Sequence, residues 1–179
     1  MKNHKLIAKT FSGLEYVLAD ELKSIGAKNI RAGHRATFFD GDLETIYKAN
    51  YFLRTALRIL KEITNFQFKN VDQFYLKCKN VKWSDYFGLE QNFVINSTVV
   101  NSQEFRNSMF ASLRVKDAIV DRIRKATNKR PTTGSELSGA VVYLFWKNDE
   151  AELFLDTTGA SLARHGYRKM NYNRTGGVE

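Results

Sequence analysis

Residues 105–131 read FRNSMFASLRVKDAIVDRIRKATNKRP, and this stretch predicts one long amphipathic helix. We expect Ser108 to be its N-cap, because a serine hydroxyl can accept a hydrogen bond from a first-turn N–H. Pro131 should end the helix, because proline cannot continue the backbone hydrogen-bond ladder. The predicted apolar face consists of six residues at helical spacing: Val115, Ile119, Ile123 and Ala126, widened by Leu113 and Val120.

The other face of this helix is basic, with eight basic and two acidic residues between Phe105 and Arg130. Arg114, Arg122 and Lys125 fall on one side of a helical wheel. The small residue Ala118 lies among them, which should allow a phosphate backbone to approach the helix closely. This pattern predicts a nucleic-acid-binding surface.

A solvated surface is the alternative interpretation of the same charges. Asp121 and Lys125 have the four-residue spacing of an ordinary helix ion pair, and Arg114 and Asp117 have the three-residue spacing. Charge runs of this kind are common on solvent-exposed helices that bind nothing. The helix alone therefore leaves both interpretations open.

Composition favours a polyanionic partner. The chain has 179 residues, 28 of them basic and 19 acidic, and a net charge of +9. A net positive charge of this size favours nucleic acid as the first candidate partner and an anionic membrane as the second. The single cysteine, Cys78, cannot form an internal disulfide and is interpreted as a buried packing residue, so we expect a reducing compartment. Since there is neither a signal peptide nor a run of 18 apolar residues, we expect a cytoplasmic protein that does not enter membranes.

The remaining sequence predicts an α+β fold in two units. The first has the order β-α-β-β-α-β of a ferredoxin-like unit, with strands at 5–11, 29–32, 35–39 and 56–66 and helices at 13–25 and 43–52. Gly26 should end the first helix, and the turn 40–42 should begin the second. The second unit contains a helix at 71–86, a strand at 93–100, the long basic helix, and a hairpin of strands 140–146 and 152–155.

No catalytic or metal site is predicted. The 11 glycines form no Gly-x-Gly turn between a strand and a helix, so a dinucleotide or methyl-donor loop is not expected. His4, His34 and His165 stand far apart, which does not fit a zinc site. The aromatic run Tyr143, Phe145 and Trp146 could stack on bases, but its apolar surroundings favour a core strand with one ring facing outward.

Three segments resemble one known family. Residues 108–124, SMFASLRVKDAIVDRIR, resemble the THUMP-domain helix of bacterial S-adenosylmethionine-dependent RNA methyltransferases of the large-subunit rRNA guanine-N2 type. Residues 153–168, LFLDTTGASLARHGYR, are similar to that family's hairpin strand and exit, although His165 stands where the family often has arginine. Residues 13–22, GLEYVLADEL, are similar to the family's N-terminal segment.

This resemblance implies a ferredoxin-like domain at 1–66, a THUMP domain at 67–169, and a tail or truncated linker at 170–179. Together the two domains would dock structured RNA, ribosomal RNA first and transfer RNA second, with DNA not expected. The sequence departs from the family after Lys169, so the catalytic domain is expected outside this chain. The chain itself should contain no catalytic residue and no cofactor; S-adenosylmethionine is expected in the missing domain.

Seven basic residues are the candidate RNA contacts, each to a phosphate rather than to a base edge: Arg114, Arg122, Lys125, Arg130, Arg164, Arg168 and Lys169. Two other functions remain open. A regulatory ferredoxin-like domain would need a polar ligand pocket between subunits. A non-enzymatic ribosome-assembly factor would bind RNA without a fused methyltransferase.

Overall fold

The computed structural model describes residues 3–88, 91–101, 108–128 and 139–164. The strands are β1 (His4–Lys9), β2 (Lys28–Gly33), β3 (Ala36–Gly41), β4 (Arg58–Gln67), β5 (Phe93–Val100), β6 (Ala140–Lys147) and β7 (Glu150–Asp156). The helices are α1 (Glu15–Ser24), α2 (Leu43–Phe52), α3 (Val71–Asn80) and α4 (Ser108–Thr127), with short 3-10 helices at Trp83–Asp85 and Leu162–Arg164. The predicted α+β class is confirmed.

The first half forms the predicted ferredoxin-like unit. Its strands lie in the order β2-β3-β1-β4, and all of the pairs are antiparallel. The α1 residues Leu18 and Leu22 and the α2 residue Ala49 pack with Leu6 and Ile59 of the central strands in one buried cluster. The apolar residues of two amphipathic helices therefore cover one face of this part of the sheet.

Local capping explains where α1 ends and where α2 begins. Gly26 has φ +84°, a left-handed conformation that glycine adopts without steric cost, and its N–H donates to the Lys23 carbonyl at 3.0 Å. Asp42 is the N-cap of α2, and its carboxylate accepts from the Thr45 N–H at 2.9 Å. The hydrogen bonds from the N–H and the hydroxyl group of Thr45 lower the pKa of Asp42, because they stabilise its charged carboxylate. Both predicted helix boundaries are confirmed.

The second half continues the same sheet. Strand β4 pairs with β1 near its beginning and with β7 along most of its length, giving the full order β2-β3-β1-β4-β7-β6-β5. Strands β5 and β6 are parallel and are connected through α4, whereas β6 and β7 form the predicted hairpin. Phe74 of α3, Ile119 of α4 and Trp146 of β6 meet in the largest buried cluster.

Helix α3 is shorter than predicted. The periodicity predicted helix 71–86, but α3 ends at Asn80 and Val81 is extended, with ψ 137°. The indole Nε1 of Trp83 donates to the Cys78 carbonyl at 3.0 Å, and Trp83 is 1% exposed. Burial of this large ring beneath the helix end requires the chain to turn, so the tertiary contact overrides the helical pattern.

The buried face of α4 differs in part from the predicted one. Val115, Ile119 and Ile123 are buried as expected. Leu113 is 48% exposed and Ala126 is also exposed, whereas Ala111 and Ala118 are fully buried. The expectation that Ala118 opens the basic side to a phosphate backbone is therefore wrong, because α4 packs against α3 as well as against β5 and needs small residues there.

Helix α4 begins at Ser108, and the residue before it lies outside the described residues, so the prediction that Ser108 is the N-cap is not tested. The Ser108 carbonyl accepts from Ser97 Oγ at 2.5 Å, and Ser112 Oγ lies 2.6 Å from the same hydroxyl group. These contacts connect the first turn of α4 to β5. Pro131, predicted to end this helix, also lies outside the described residues; within them α4 ends at Thr127.

All four helices lie on the same face of the seven-stranded sheet. Ile59 of β4 packs under α1 and α2. Lys61, two residues later, is on the same face of β4, and its partner in the β4–β7 ladder is Leu155. Leu155 lies opposite Val142, which packs under α3 and α4. No helix of the described residues covers the other face, which we call the open face. Its small apolar cluster contains Ile7, Ala36, Leu60 and Phe154, with Phe38 and Tyr143 packed against them.

Candidate nucleic-acid interface

Three predicted phosphate contacts lie on α4. Arg122 and Lys125 are exposed towards its C-terminal end, and Arg114 is half-buried about two turns before Arg122. Lys125 follows Asp121 by one turn, and Asp121 contacts α3 through the side chain of Tyr75. The cations therefore border the line along which α3 and α4 pack.

Arg114 is the most constrained of the three. Its guanidinium carbon lies 5.3 Å from the ring centroid of Phe110, a geometry that favours a cation over an aromatic face. Its Nε atom is buried and has no hydrogen-bond partner among the described residues. A buried N–H donor without an acceptor costs about 1–3 kcal/mol, so packing around Phe110 rather than a hydrogen bond from Nε holds this side chain.

The two ion pairs expected for a solvated helix surface, Asp121 with Lys125 and Arg114 with Asp117, do not form. Among the residues that the structure describes, Lys125 makes no salt bridge to Asp121, and Arg114 makes none to Asp117. The Asp121 carboxylate instead accepts from Tyr75 Oη and lies 3.6 Å from Lys79 Nζ, both on α3. Burial and then the hydrogen bond to Asp121 raise the pKa of Tyr75. Within the part of the chain that the structure describes, no carboxylate neutralises Arg114 or Lys125.

The other four candidates are described less fully. Arg164 ends the second 3-10 helix, and only its backbone is described. Arg130, Arg168 and Lys169 lie outside the described residues. Leu162 is 6% exposed, and its N–H donates to the Leu57 carbonyl at 3.0 Å within the ferredoxin-like half. The segment leading to Arg164 is thus attached to a different core cluster from the one that holds α4.

A second group of cations was not predicted. Lys9 at the end of β1 and Arg58 at the start of β4 are neighbours on the open face, and Arg35, in the turn between β2 and β3, lies near Lys9 at the same end of the sheet. We call these three residues the sheet-end cluster. Sequence alternation places Lys5, Ile7 and Lys9 on one face of β1, but it does not identify the neighbouring strands.

The structure also bears on residues with other chemistry. Cys78 is fully buried, and burial raises the pKa of its thiol, which confirms its interpretation as a packing residue. Within the described ranges no three His, Cys, Asp or Glu residues are grouped as metal ligands would be. No helix in the described part of the chain is both long and apolar enough to span a membrane. Phe145 is the outward-facing ring of its run, 37% exposed, whereas Trp146 is buried.

Two known domain families match the chain. Residues 5–60 match the RlmL ferredoxin-like domain, and residues 68–156 match the THUMP domain. The first match ends within β4, and the second ends at the last residue of β7. The two matches therefore correspond to the two halves of the continuous sheet.

Full-length relatives extend beyond this chain. The ribosomal RNA large subunit methyltransferase K/L of Photobacterium profundum is 32% identical over 165 residues, which are 92% of this chain and 23% of that protein. A possible methylase from Clostridium difficile 630 has a TM-score of 0.81 at 28% identity over 94% of this chain and 45% of that one. SMU.472, assigned as a methyltransferase and solved in complex with SAH, has a TM-score of 0.81 at 26% identity over 95% of this chain and 45% of that one.

These matches agree with the topology and with the resemblance carried by residues 13–22, 108–124 and 153–168. The chain covers less than half of each of these relatives, and it corresponds to the N-terminal part of the K/L methyltransferase. The chain therefore belongs to the proteins that carry an RlmL-type ferredoxin-like domain followed by a THUMP domain.

Proposed function

We propose that this chain is the RNA-binding module of an S-adenosylmethionine-dependent ribosomal RNA methyltransferase and docks structured RNA through the basic side of α4. The observation that carries the proposal is the local charge imbalance: Arg114, Arg122 and Lys125 have no carboxylate partner among the described residues. Phosphates are the natural counter-ions for such a surface, because arginine donates in a planar fork that matches phosphate oxygens.

The proposal includes four further basic residues, Arg130, Arg164, Arg168 and Lys169. Each is proposed as a phosphate contact, which positions RNA without reading its sequence. Structured ribosomal RNA is the first substrate and transfer RNA the second, and DNA is not expected. The proposed role of this chain is then to orient the RNA, since a module that holds RNA in place presents one nucleotide to a catalytic site.

The chemistry of methyl transfer is proposed for residues outside this chain. The K/L relative is an rRNA methyltransferase, and SMU.472 was solved with SAH, so a methyl donor is proposed for the whole protein. A guanine-N2 target is proposed from the resemblance of residues 108–124 and 153–168 alone. No residue of this chain is assigned to catalysis or to cofactor binding. A cytoplasmic location is the expectation that accompanies a ribosomal RNA substrate.

The test is the triple variant Arg114→Gln, Arg122→Gln and Lys125→Gln. Glutamine keeps helix propensity close to that of the parent residues, so circular dichroism and the denaturation midpoint should change little. Affinity for a structured RNA should fall, and the slope of log affinity against log salt should become shallower by up to about three units, because fewer counter-ions are released. Unrelated RNA stems should lose affinity alike.

A charge-matched control replaces Lys23, Lys48 and Arg54 with glutamine. Lys23 and Lys48 make exposed ion pairs with Asp20 and Glu44, and Arg54 is exposed, all in the ferredoxin-like half. This control loses the same net charge but should keep most of the affinity and salt slope. Equal losses in both triple variants, or none in the α4 variant, would reject α4 as the RNA surface.

A further inference from the structure

The sheet-end cluster has an arrangement that sheets usually avoid. In the β1–β4 ladder Lys9 lies directly opposite Arg58, so two like charges occupy neighbouring positions on the open face. In the β1–β3 ladder Lys9 lies opposite Ala36, which follows Arg35. Like charges directly opposite each other destabilise a strand pair. Three strand ends thus bring three cations together at an energetic cost.

Carboxylates of the described residues compensate only part of this charge. Arg58 Nη1 donates to Asp156, whose side chain is 1% exposed, and to the Gly159 carbonyl at 3.0 Å. Glu15 accepts from the backbone N–H of Arg35 at 2.8 Å rather than from its guanidinium group. Lys9 and Arg35 form no salt bridge with the described residues. Partial burial, and then the charges of Arg35 and Arg58, lower the pKa of Lys9.

One aromatic ring adjoins the same cations. Lys9 Nζ lies 5.8 Å from the centroid of the half-buried Tyr143 ring on β6. Phe145, two residues further along β6, is on the same face but lies directly opposite Glu152, away from the cluster. Aromatic side chains on a helix-free sheet are the platform on which RNA-recognition domains stack unpaired bases.

The opposite end of the open face has a different charge balance. Lys5, on the same strand and face as Lys9, lies directly opposite Asp40 rather than a cation. Lys5 and Asp40 also line a cavity of about 280 Å³ together with Glu62 and Glu152. Burial, then Glu150 and Glu62, raise the pKa of Glu152. Arg31 also lines this cavity, so cations and carboxylates are mixed at this end, whereas the sheet-end cluster has an excess of cations.

We propose that the sheet-end cluster and Tyr143 bind an unpaired nucleotide of the RNA, with its phosphate between Lys9 and Arg35 and its base against Tyr143. This site rests on the proposed RNA-binding function and adds to it a second contact, specific for single strands, on the face opposite α4. A phosphate there removes the repulsion between Lys9 and Arg58. Arg58 is held by Asp156, so it positions the cluster and is not the best residue to replace.

The experiment compares two lysines of one strand. The double variant Lys9→Gln and Tyr143→Leu should weaken binding of a short labelled oligouridylate roughly tenfold or more, since stacking one base contributes about a factor of ten. Arg35→Asn, a residue that tolerates the left-handed φ of +53° found there, should weaken it further. The matched control, Lys5→Gln, makes the same charge change on the same face and should keep the parent affinity.

A blunt RNA duplex separates this proposal from the α4 surface. The Lys9 and Tyr143 variant should bind the duplex as the parent does, whereas the α4 triple variant should lose the duplex and keep the oligouridylate. The sheet-end proposal is overturned if the parent does not bind the oligouridylate, if the variant binds it equally well, or if Lys5→Gln weakens it as much. Loss of single-strand binding in the sheet-end variant with an unaffected duplex in the α4 variant would reject the α4 surface alone. The denaturation midpoint of each variant verifies that it is folded.

Discussion

The two basic surfaces of this protein are built in different ways. The α4 surface takes Arg114, Arg122 and Lys125 from one continuous helix, so helical periodicity alone brings them to one side. The sheet-end cluster takes Lys9, Arg35 and Arg58 from three places in the chain and depends on strand register. A charge pattern within a helix can therefore be recognised locally, whereas a cluster across strands becomes visible only when the sheet is known.

The largest expected effect tests the support of the α4 surface. Ile119 of α4 is fully buried in the cluster that α4 forms with α3 and the sheet, so Ile119→Ala should lower the free energy of unfolding by roughly 2–5 kcal/mol. Leu113→Ala on the same helix, at a residue 48% exposed, should change it by no more than about 0.5 kcal/mol. Chemical denaturation measures both values. Similar losses in the two variants would mean that α4 packs through a different face.

The support of the sheet-end cluster should give the next largest effect. Asp156 is almost fully buried and accepts from Arg58 and from the Thr158 N–H at 2.8 Å. Asp156→Asn should therefore destabilise the fold by about 1.5–3 kcal/mol, the range for a hydrogen bond to a charged group. Asp121→Asn is the counterpart beside the α4 surface, where the carboxylate is 47% exposed, and it should cost only about 0–1 kcal/mol. Equal denaturation midpoints for the two variants would contradict this ranking.

The last prediction is that S-adenosylmethionine has no measurable effect on this chain. Neither basic surface is associated with a glycine-rich loop, so titration of this chain with S-adenosylmethionine in a calorimeter should produce no saturable heat. RNA methylation by the chain alone should likewise be undetectable. A heat that saturates at one cofactor per chain would show that the methyl donor binds within these residues, and the division between docking and catalysis would be wrong.

Much of the fold was predictable because its signals are local. Strand 93–100 and helix 43–52 were predicted with the bounds that the structure has, from an apolar run and from the turn at residues 40–42. The failures involve distant partners. Helix α3 stops early because the Trp83 ring is buried beneath it, and Ala118 is buried because α3 packs on a second side of α4. A helical wheel has no information about that second neighbour.

For the candidate site, the sequence by itself determined the basic helix, the net charge of +9 and the order of the two domains. These follow from helical periodicity, composition and short motifs, which act over a few residues. Only the tertiary structure decided that Asp121 pairs with Tyr75, 46 residues away, and leaves Lys125 without that carboxylate. It also decided that Lys9 meets Arg58, because strand register depends on the packing of the whole sheet and not on either segment alone.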